Sequence, residues 1–548
     1  MNTLKHKFDF LLLALVLTGF TFVAGQRLAT VPLPDSDEAM MLQIPYEILY
    51  RGKLAFPMKS FYGGNIENAW HSLTPLVFTT LSGFFKVFGW GLSQGRAFNL
   101  ITALLVLLMV YLIARRLFAW QVGLVAILLI ISDPLFLARS RLLRHDLISV
   151  AFGLLAFYLY ERAEERERRW HYLGSGLAAG AGVMCHTNLL YMLAVVAVLM
   201  LMRNGWRVLK TAKPYLFFAG ALAVMAYEIV FAIADFKNFR LQTGADAVHF
   251  SVLKPAGWLS NLQAEPVRYE QWFVADGARF ETHIILLQIF LLITVAAIIY
   301  LIAHTLIALK GGNVMSDTRA RLLVATVIVV LFFAFVTQRK ITQYVVHISP
   351  WFALCAAVFL TDCVSGIRGL RDARWARARI VYSVAMVIVA LLVAGFGYEL
   401  FRQNRTYLAQ VRNPDQPAFE EIKTALRSIV PEGMCPVSIG SAYLWLAFPE
   451  HDRCYFASME ARPDHRLDLN GKDYAMIVKP KFENRLRKLT GAGFEQYHLL
   501  GELNKTAYGT FYIYYTGSDP RYLELAPKRY QFFRRQRGFV AVEQAKTN

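Results

Sequence analysis

Long runs of apolar residues constrain the fold more than any other feature of this sequence. The first run covers residues 8–26, and more follow up to about residue 400. An α-helix of about 20 apolar residues is long enough to cross the hydrocarbon core of a bilayer. Hydrophobic residues make up 56% of the 548 residues and charged residues only 18%, so one water-soluble core cannot bury the apolar surface. The sequence predicts a polytopic α-helical membrane protein.

Clusters of Lys and Arg between the apolar runs predict the topology, because such clusters mark the cytoplasmic ends of transmembrane helices. These topology signals account for most of the net charge of +19, so nucleic acid is not expected as a partner. The clusters are Arg115–Arg116, 162–170, 203–213, Arg319 with Arg321, and 367–379. They predict about eleven transmembrane helices, with the N-terminus in the cytoplasm and the C-terminus outside. After the first, the spans fall at about 97–114, 119–138, 144–160, 172–187, 188–202, 214–234, 283–309, 320–337, 344–362 and 380–398.

Two apolar segments are not expected to form a single transmembrane helix each. The run 74–89 is short for a span, and a crossing there would place Arg115–Arg116 outside, so an interfacial helix is predicted. The first external loop then covers 27–96. The long apolar stretch 172–202 is predicted to form two short helices that turn at 186–188, because a single helix would place the basic cluster 203–213 outside.

The polar region 401–548 loses the transmembrane pattern and alternates helix and strand signals. It is interpreted as a small extracytoplasmic α/β domain, with 1–400 as the transmembrane catalytic domain. The basic and aromatic run 528–539 is interpreted as a solvated helix face, with contact to anionic lipid headgroups as the alternative. A disulfide between Cys435 and Cys454 is possible in an oxidising compartment.

An acidic stretch, "LATVPLPDSDEAMMLQ" at 28–43, follows the first apolar run. Asp35 and Glu38 have the spacing of a capping box, in which the first carboxylate binds free backbone N–H groups at a helix start. This pattern leaves Asp37 unexplained. A carboxylate at this position can serve as a general base if desolvation offsets the effect of the helix dipole.

Ionisable residues also occur at helix ends predicted to lie outside. The segment 138–146, "ARSRLLRHD", contributes Arg141, Arg144, His145 and Asp146, and the segment 338–347 contributes Lys340 and His347. Such residues either extend to the interface or serve a ligand. Arginine and lysine near the headgroups bind phosphate, so acids and bases on one side fit transfer of a group from a membrane-anchored phosphate donor.

Four segments together resemble the GT-C superfamily of integral-membrane glycosyltransferases, in the branch of protein O-mannosyltransferases and bacterial lipid A aminoarabinose transferases. They are "DSDEAMMLQIPYEILYRGKL" (35–54), the stretch 71–118, "RSRLLRHDLISVAFGLLAFYLYERA" (139–163) and "RKITQYVVHISP" (339–350). The resemblance implies a polyprenyl-phosphate sugar donor and an inverting transfer of one sugar to an acceptor hydroxyl on the extracytoplasmic face. No "WWD" signature is present, which disfavours transfer of a whole oligosaccharide and the metal that it requires; no cofactor is expected.

The resemblance also implies roles for particular residues. The acidic pair of the first loop falls on Asp37 and Glu38, with Asp37 as the catalytic carboxylate, and the acidic residue after the third span falls on Asp146. The expected substrate-binding residues are His71, Arg141, Arg144, His145, His186, Lys340 and Tyr344. "HSLTP" at 71–75 is longer than the corresponding family motif, and "CHTNLL" at 185–190 stands where relatives often carry a lysine.

Two other functions remain open at this stage. A transporter or flippase of a lipid-linked sugar would use the same basic clusters, and Glu228 is its deepest ionisable residue. A non-catalytic glycan-binding subunit is the other. The expected acceptor is a lipid, a glycan or a protein, and the expected setting is a bacterial inner membrane.

Overall fold

A computed structural model gives the architecture of the chain. It describes residues 2–58, 65–66, 68–70, 75–246, 256–275, 284–312, 314, 316–338, 340–369, 376–412, 419–439, 441–450, 455–457, 473–482, 497–506, 508–535 and 538–543. Of the residues singled out in the sequence, His71 and Cys454 lie outside these ranges.

The N-terminal three quarters of the chain are helical. The helices are α1 (Asn2–Ala24), α2 (Ser36–Arg51), α3 (Pro75–Phe88), α4 (Leu92–Leu117), α5 (Trp120–Ile131), α6 (Pro134–Ser140), α7 (Asp146–Arg166), α8 (Arg169–Val183), α9 (Leu190–Asn204), α10 (Ala212–Ala234), α11 (Phe236–Asp246), α12 (Ala256–Glu270), α13 (Ile284–Lys310), α14 (Thr318–Phe335), α15 (Ser349–Gly369) and α16 (Ala376–Arg412). Each of the eleven predicted spans coincides with a helix or a helix pair.

The number of helices that meet the requirements of a span is smaller than eleven. Seven described helices are long and apolar enough to cross a membrane, and the bent pair α5 and α6 makes eight if it counts as one span. The apolar part of α1, Phe8–Ala24, is shorter. The bend of 79° between α5 and α6 has a local cause, because Asp133 caps α6 and Pro134 occupies its first turn.

The two unusual segments have the predicted local structure. Residues 75–88 form the short helix α3, which buries Val77, Leu81 and Phe85. The stretch 172–202 breaks after α8, and a 3₁₀ turn at Thr187–Leu189 leads into α9. The turn is tight: a Cβ atom on Gly182 would lie 1.9 Å from the side chain of Leu189, so a larger residue at 182 requires this side chain to move. His186 lies between α8 and this turn, which it caps.

The C-terminal region is an α/β domain, as predicted. It contains α17 (Phe419–Ile429), β1 (Cys435–Ile439), β2 (Tyr455–Ala457), β3 (Tyr474–Val478), β4 (His498–Thr506), β5 (Gly509–Tyr515), α18 (Pro520–Leu523), β6 (Lys528–Arg535) and β7 (Gly538–Glu543). The sheet has the order β2-β1-β3-β5-β4-β6-β7 and mixes parallel and antiparallel pairs. The helix expected at 528–539 is wrong, since β6 and β7 occupy this run.

The C-terminal domain packs on α2 through aromatic residues. A buried 3₁₀ segment, Ala442–Ala447, presents Trp445 to the edges of Tyr46 and Trp90, with ring centroids 5.9 and 5.8 Å apart. The hydroxyl of Tyr508 donates to the carbonyl oxygen of Pro34 at 2.6 Å. The domain therefore contacts the acidic stretch directly.

Candidate functional site

The acidic stretch begins α2 with a capping box, as the sequence predicts. Asp35 has extended backbone angles and its carboxylate accepts the backbone N–H of Glu38 at 2.8 Å, while the Glu38 carboxylate accepts the N–H of Asp35 at 3.4 Å. This geometry fixes the first turn of α2, which carries Asp37.

The Glu38 side chain is held in a buried ion pair. Arg96 of α4 donates through Nε at 2.7 Å and through Nη2 at 2.6 Å, and both side chains are fully buried. The backbone N–H of Leu143 also donates to Glu38, at 3.0 Å. Arg96 further donates to the carbonyl oxygen of Leu28. Both carboxylate oxygens thus have protein partners, which favours a positioning role over the catalytic role expected for Glu38.

Arg144 joins two carboxylates that are distant in sequence. Its Nη1 pairs with Asp37, and its Nε donates to Oδ2 of Asp146 at 2.8 Å. The side chains of Arg144 and Asp146 are 7% and 3% exposed, whereas that of Asp37 is 41% exposed. Asp37 is therefore the member of this trio that solvent or a substrate reaches first.

Histidines surround the other oxygen of Asp146. Nε2 of His186 lies 3.5 Å from Oδ1 of Asp146, and Nε2 of His347 lies 3.7 Å from the same oxygen. The ring centroid of His186 lies 4.3 Å from that of His145 and 5.6 Å from that of Tyr344. The site thus combines residues of α2, the start of α7, the turn after α8 and the 3₁₀ segment Thr342–His347.

Two residues of this cluster were not among the predicted site residues. His347 is fully buried, and the Tyr191 hydroxyl lies 3.5 Å from its Nδ1. His347 was noted in the sequence only as a member of a cluster predicted to lie outside. Tyr191 lies in an apolar run, so nothing in the sequence distinguished it from a packing residue.

Two predicted phosphate ligands have partners within the protein. Arg141 donates to the carbonyl oxygens of Ala24, Gln26 and Val31 at 2.5–2.7 Å and is 1% exposed. Lys340 pairs with Glu265 at 2.8 Å and donates to two carbonyl oxygens at the end of α14. Each side chain anchors a loop in this structure.

Burial and neighbouring charges shift the pKa values of Asp35 and Asp37 in opposite directions. Burial, with the neighbouring charges of Asp37 and Glu38, raises the pKa of Asp35 to about 6. Burial also acts to raise the pKa of Asp37, but the charge and hydrogen bond of Arg144 outweigh it, so this pKa is lowered. Asp37 is therefore ionised at neutral pH, as a general base must be.

His145, Asp146 and His186 place three donor atoms within 4.8 Å of one another, close enough to share a metal ion. The chemistry of these donors does not fit a metal. Nδ1 of His186 accepts the backbone N–H of Asn188 at 3.0 Å, so the neutral ring carries its proton on Nε2, the nitrogen that faces Asp146. A protonated nitrogen has no lone pair for a metal, and Arg144 already occupies the second oxygen of Asp146.

Comparisons with known proteins find one matching family model and solved structures of similar fold. The sequence model of the family described as dolichyl-phosphate-mannose-protein mannosyltransferase matches residues 72–231. No curated protein matches the chain.

Two solved structures match along most of the chain. The first is ArnT from Cupriavidus metallidurans bound to undecaprenyl phosphate, with 10% identity and a TM-score of 0.59, covering 94% of this chain and 98% of that one. The second is the archaeal oligosaccharyltransferase AglB from Archaeoglobus fulgidus in complex with an inhibitory peptide and a dolichol-phosphate, with 13% identity, a TM-score of 0.56 and coverage of 94% and 75%. At these identities the likeness concerns the fold. The chain has a GT-C-like fold with a small C-terminal sheet domain, and it resembles the mannosyltransferase and aminoarabinose transferase branch of that superfamily.

Proposed function

We propose that this integral membrane protein is a glycosyltransferase that uses a lipid-phosphate sugar donor. The observation that carries the proposal is the Arg144 bridge between Asp37 and Asp146, which brings a solvent-accessible carboxylate next to a phosphate-binding type of side chain. The fold supports it, because two transferases with this fold have been solved with undecaprenyl phosphate or a dolichol-phosphate.

The proposed reaction is one displacement at the anomeric carbon. Asp37 takes the proton of the acceptor hydroxyl, whose oxygen attacks the anomeric carbon. The bond from that carbon to the phosphate oxygen breaks, and the lipid phosphate leaves with the electron pair. Attack from the side opposite the leaving group inverts the configuration. We propose that one sugar is transferred, on the extracytoplasmic face.

Arg144 has two tasks in this mechanism. It stabilises the negative charge of the departing phosphate, for which its planar guanidinium is well suited. It also pairs with Asp37 before the donor arrives, which lowers the pKa of Asp37 and weakens it as a base. A donor phosphate that binds Arg144 replaces Asp37 as its ion-pair partner. Asp37 is then released to act as a base. The donor is therefore expected to bind before the acceptor hydroxyl is activated.

Asp146 and the histidines position Arg144. Asp146 holds Nε of Arg144 by a hydrogen bond of 2.8 Å, and His186 and His347 face its other oxygen. This arrangement fixes the plane of the guanidinium while leaving Nη1 directed to Asp37. His145 and Tyr344 border the same cluster and are proposed to contact the sugar or its phosphate.

The test compares the wild type with Asp37→Asn in transfer from a panel of radiolabelled polyprenyl-phosphate sugars to total membrane acceptors. Loss of the base is expected to lower the rate by roughly 10² to 10⁴, with donor binding retained. Glu524→Gln, an exposed carboxylate of the C-terminal domain, is the control and should leave the rate unchanged. Normal turnover in folded, donor-binding Asp37→Asn would refute the mechanism.

The transporter alternative has one structural observation in its favour. Glu228 lies within the apolar helix α10, and its Oε1 atom has no hydrogen-bond partner among the described residues. The same donors, placed in proteoliposomes with this protein, separate the two functions. Donor movement across the bilayer without transfer, unaffected by Asp37→Asn, would establish transport.

The finer assignments are also proposals. We propose a bacterial inner membrane as the setting, with the N-terminus in the cytoplasm and the C-terminal domain outside. The acceptor is a lipid, a glycan or a protein hydroxyl, and the C-terminal domain that contacts Pro34 is placed to influence which one is used.

A further inference from the structure

A cavity lies in the helical region, between α1, the bend of α5 and α6, and α16. Its volume is about 660 Å³, within the range of small-molecule sites. Hydrocarbon side chains form most of its wall. They include Leu15 and Val23 of α1, Leu128 and Leu137 of the bent pair, and Leu408 of α16.

Two arginines of α16 line part of the cavity, and one of them lies near the end of α1. Arg405 and Arg412 both belong to its wall, and Arg412 donates to Oε1 of Gln26 at 3.2 Å. Among the residues that the structure describes, neither arginine has an ion-pair partner. By contrast, Arg402, which is not part of the wall, pairs with Glu399 at 2.7 Å. The cavity thus combines an apolar wall with guanidinium groups that lack a counter-charge.

Helices around this cavity carry exposed apolar side chains. Leu15 and Phe22 of α1 are 61% and 55% exposed, and Phe401 of α16 is 64% exposed. In a bilayer such surface contacts hydrocarbon chains, and a groove between the helices must be filled by one of them. The two arginines select the headgroup that accompanies this chain.

We propose that the cavity is a binding site for one anionic phospholipid of the surrounding bilayer. One acyl chain lies in the apolar groove, and Arg405 and Arg412 bind the phosphodiester. The lipid is distinct from the sugar donor, whose phosphate must lie beside Asp37. The charges that act most strongly on Asp37 are those of Arg144, His145 and Asp146, not those of the cavity arginines.

The lipid site supports the loop that leads into the acidic stretch. Arg141 binds the carbonyl oxygens of residues 24, 26 and 31, and its guanidinium also lies over the ring of Tyr407 in α16, 5.4 Å from the centroid. An acyl chain held between α1 and α16 would therefore maintain the separation of the two helices that Arg141 contacts.

The groove is tested by filling it. Gly19 lines the cavity, and a Cβ atom built on it meets no atom within 4 Å, so the side chain of Gly19→Leu starts into open space and can occupy the groove. Gly395 of α16 is equally open but lies outside the cavity wall, so Gly395→Leu is the matched control. Native mass spectrometry of the full chain then measures retention of added phosphatidylglycerol and phosphatidylcholine.

The wild type and Gly395→Leu are expected to retain one phosphatidylglycerol, and Gly19→Leu to bind it roughly tenfold more weakly, because the groove is full. Equal retention by Gly19→Leu and the wild type would overturn the groove assignment. Undecaprenyl phosphate serves as a competitor. If it displaces phosphatidylglycerol from the groove at lower concentration, the occupant is a polyprenyl lipid and the proposal is wrong.

The headgroup contact is tested by the double variant Arg405→Gln, Arg412→Gln, with Arg402→Gln as control. The double variant is expected to lose the preference for phosphatidylglycerol over phosphatidylcholine, by roughly tenfold, because charge-assisted hydrogen bonds to phosphate are removed. An unchanged preference would refute the role of the two arginines. None of these measurements depends on sugar transfer, so their failure is separate from failure of the proposed reaction.

Discussion

At the scale of single residues, the site depends on the shape of the Arg144 side chain as well as on its charge. One guanidinium pairs with Asp37 through Nη1 and with Asp146 through Nε. Lysine offers one compact ammonium group that cannot keep both contacts at fixed angles. Arg144→Lys is therefore expected to weaken binding of undecaprenyl phosphate about tenfold or more, measured in detergent solution. Arg521→Lys, an exposed pair with Asp519, is the control; equal affinity in both variants would remove Arg144 from the phosphate site.

The raised pKa of Asp35 predicts a pH dependence of stability. Its pKa of about 6 lies above the ordinary value of 3.8, because burial and the charges of Asp37 and Glu38 disfavour the ionised form. The stabilisation from the protonated form is complete below pH 3.8 and is lost as the pH rises through 6. Asp35→Asn keeps a good helix cap but cannot ionise. The unfolding temperature of Asp35→Asn minus that of the wild type should rise as the pH increases from 4 to 7. A difference that stays constant would contradict the shifted pKa.

At the scale of helices, the buried pair Glu38–Arg96 holds α2 against α4 and the loop before α7. Glu38→Gln leaves the charge of Arg96 buried without a counter-charge, which typically costs about 3–5 kcal/mol. The double variant Glu38→Leu, Arg96→Met removes both charges and is expected to be more stable than Glu38→Gln. Thermal unfolding of the two variants checks the positioning role. If Glu38→Gln were as stable as the wild type and still inactive, Glu38 would be a catalytic residue.

The helices themselves were largely predictable, because each apolar run is long enough to dictate a helix by itself. The bend between α5 and α6 was missed, although Asp133 and Pro134 carry its signal as a cap and a first-turn proline. The run 528–539 became strands because β4 and β7 supply its hydrogen-bond partners, and such pairing is invisible locally. Within the site, Arg144 and Arg141 have the same sequence signal. Only the fold shows that Arg141 meets backbone carbonyls instead of a carboxylate.

At the scale of the whole molecule, the acidic stretch is held from two directions. Arg141 and Arg96 fix the carbonyl oxygens of the preceding loop from the helical region. Tyr508 fixes Pro34 from the C-terminal domain, and Trp445 docks that domain on α2. The partners are 68 and 110 residues apart in the two arginine contacts, and about 400 residues or more apart in the contacts of the C-terminal domain, so no local pattern predicts them. The position of Asp37 is therefore a property of both domains together.

This arrangement predicts that the hydroxyl of Tyr508 affects turnover more than donor binding. Tyr508→Phe removes the hydrogen bond to Pro34 and keeps the ring stacked on Tyr443, with centroids 4.1 Å apart. Turnover is expected to fall roughly two- to tenfold, the range of one lost hydrogen bond, with donor affinity unchanged because Arg144 is untouched. Tyr443→Phe, which removes the neighbouring hydroxyl, is the control. If Tyr508→Phe behaves as the wild type while Trp445→Ala is inactive, the domain acts by docking on α2 alone, and the contact with Pro34 has no part in placing Asp37.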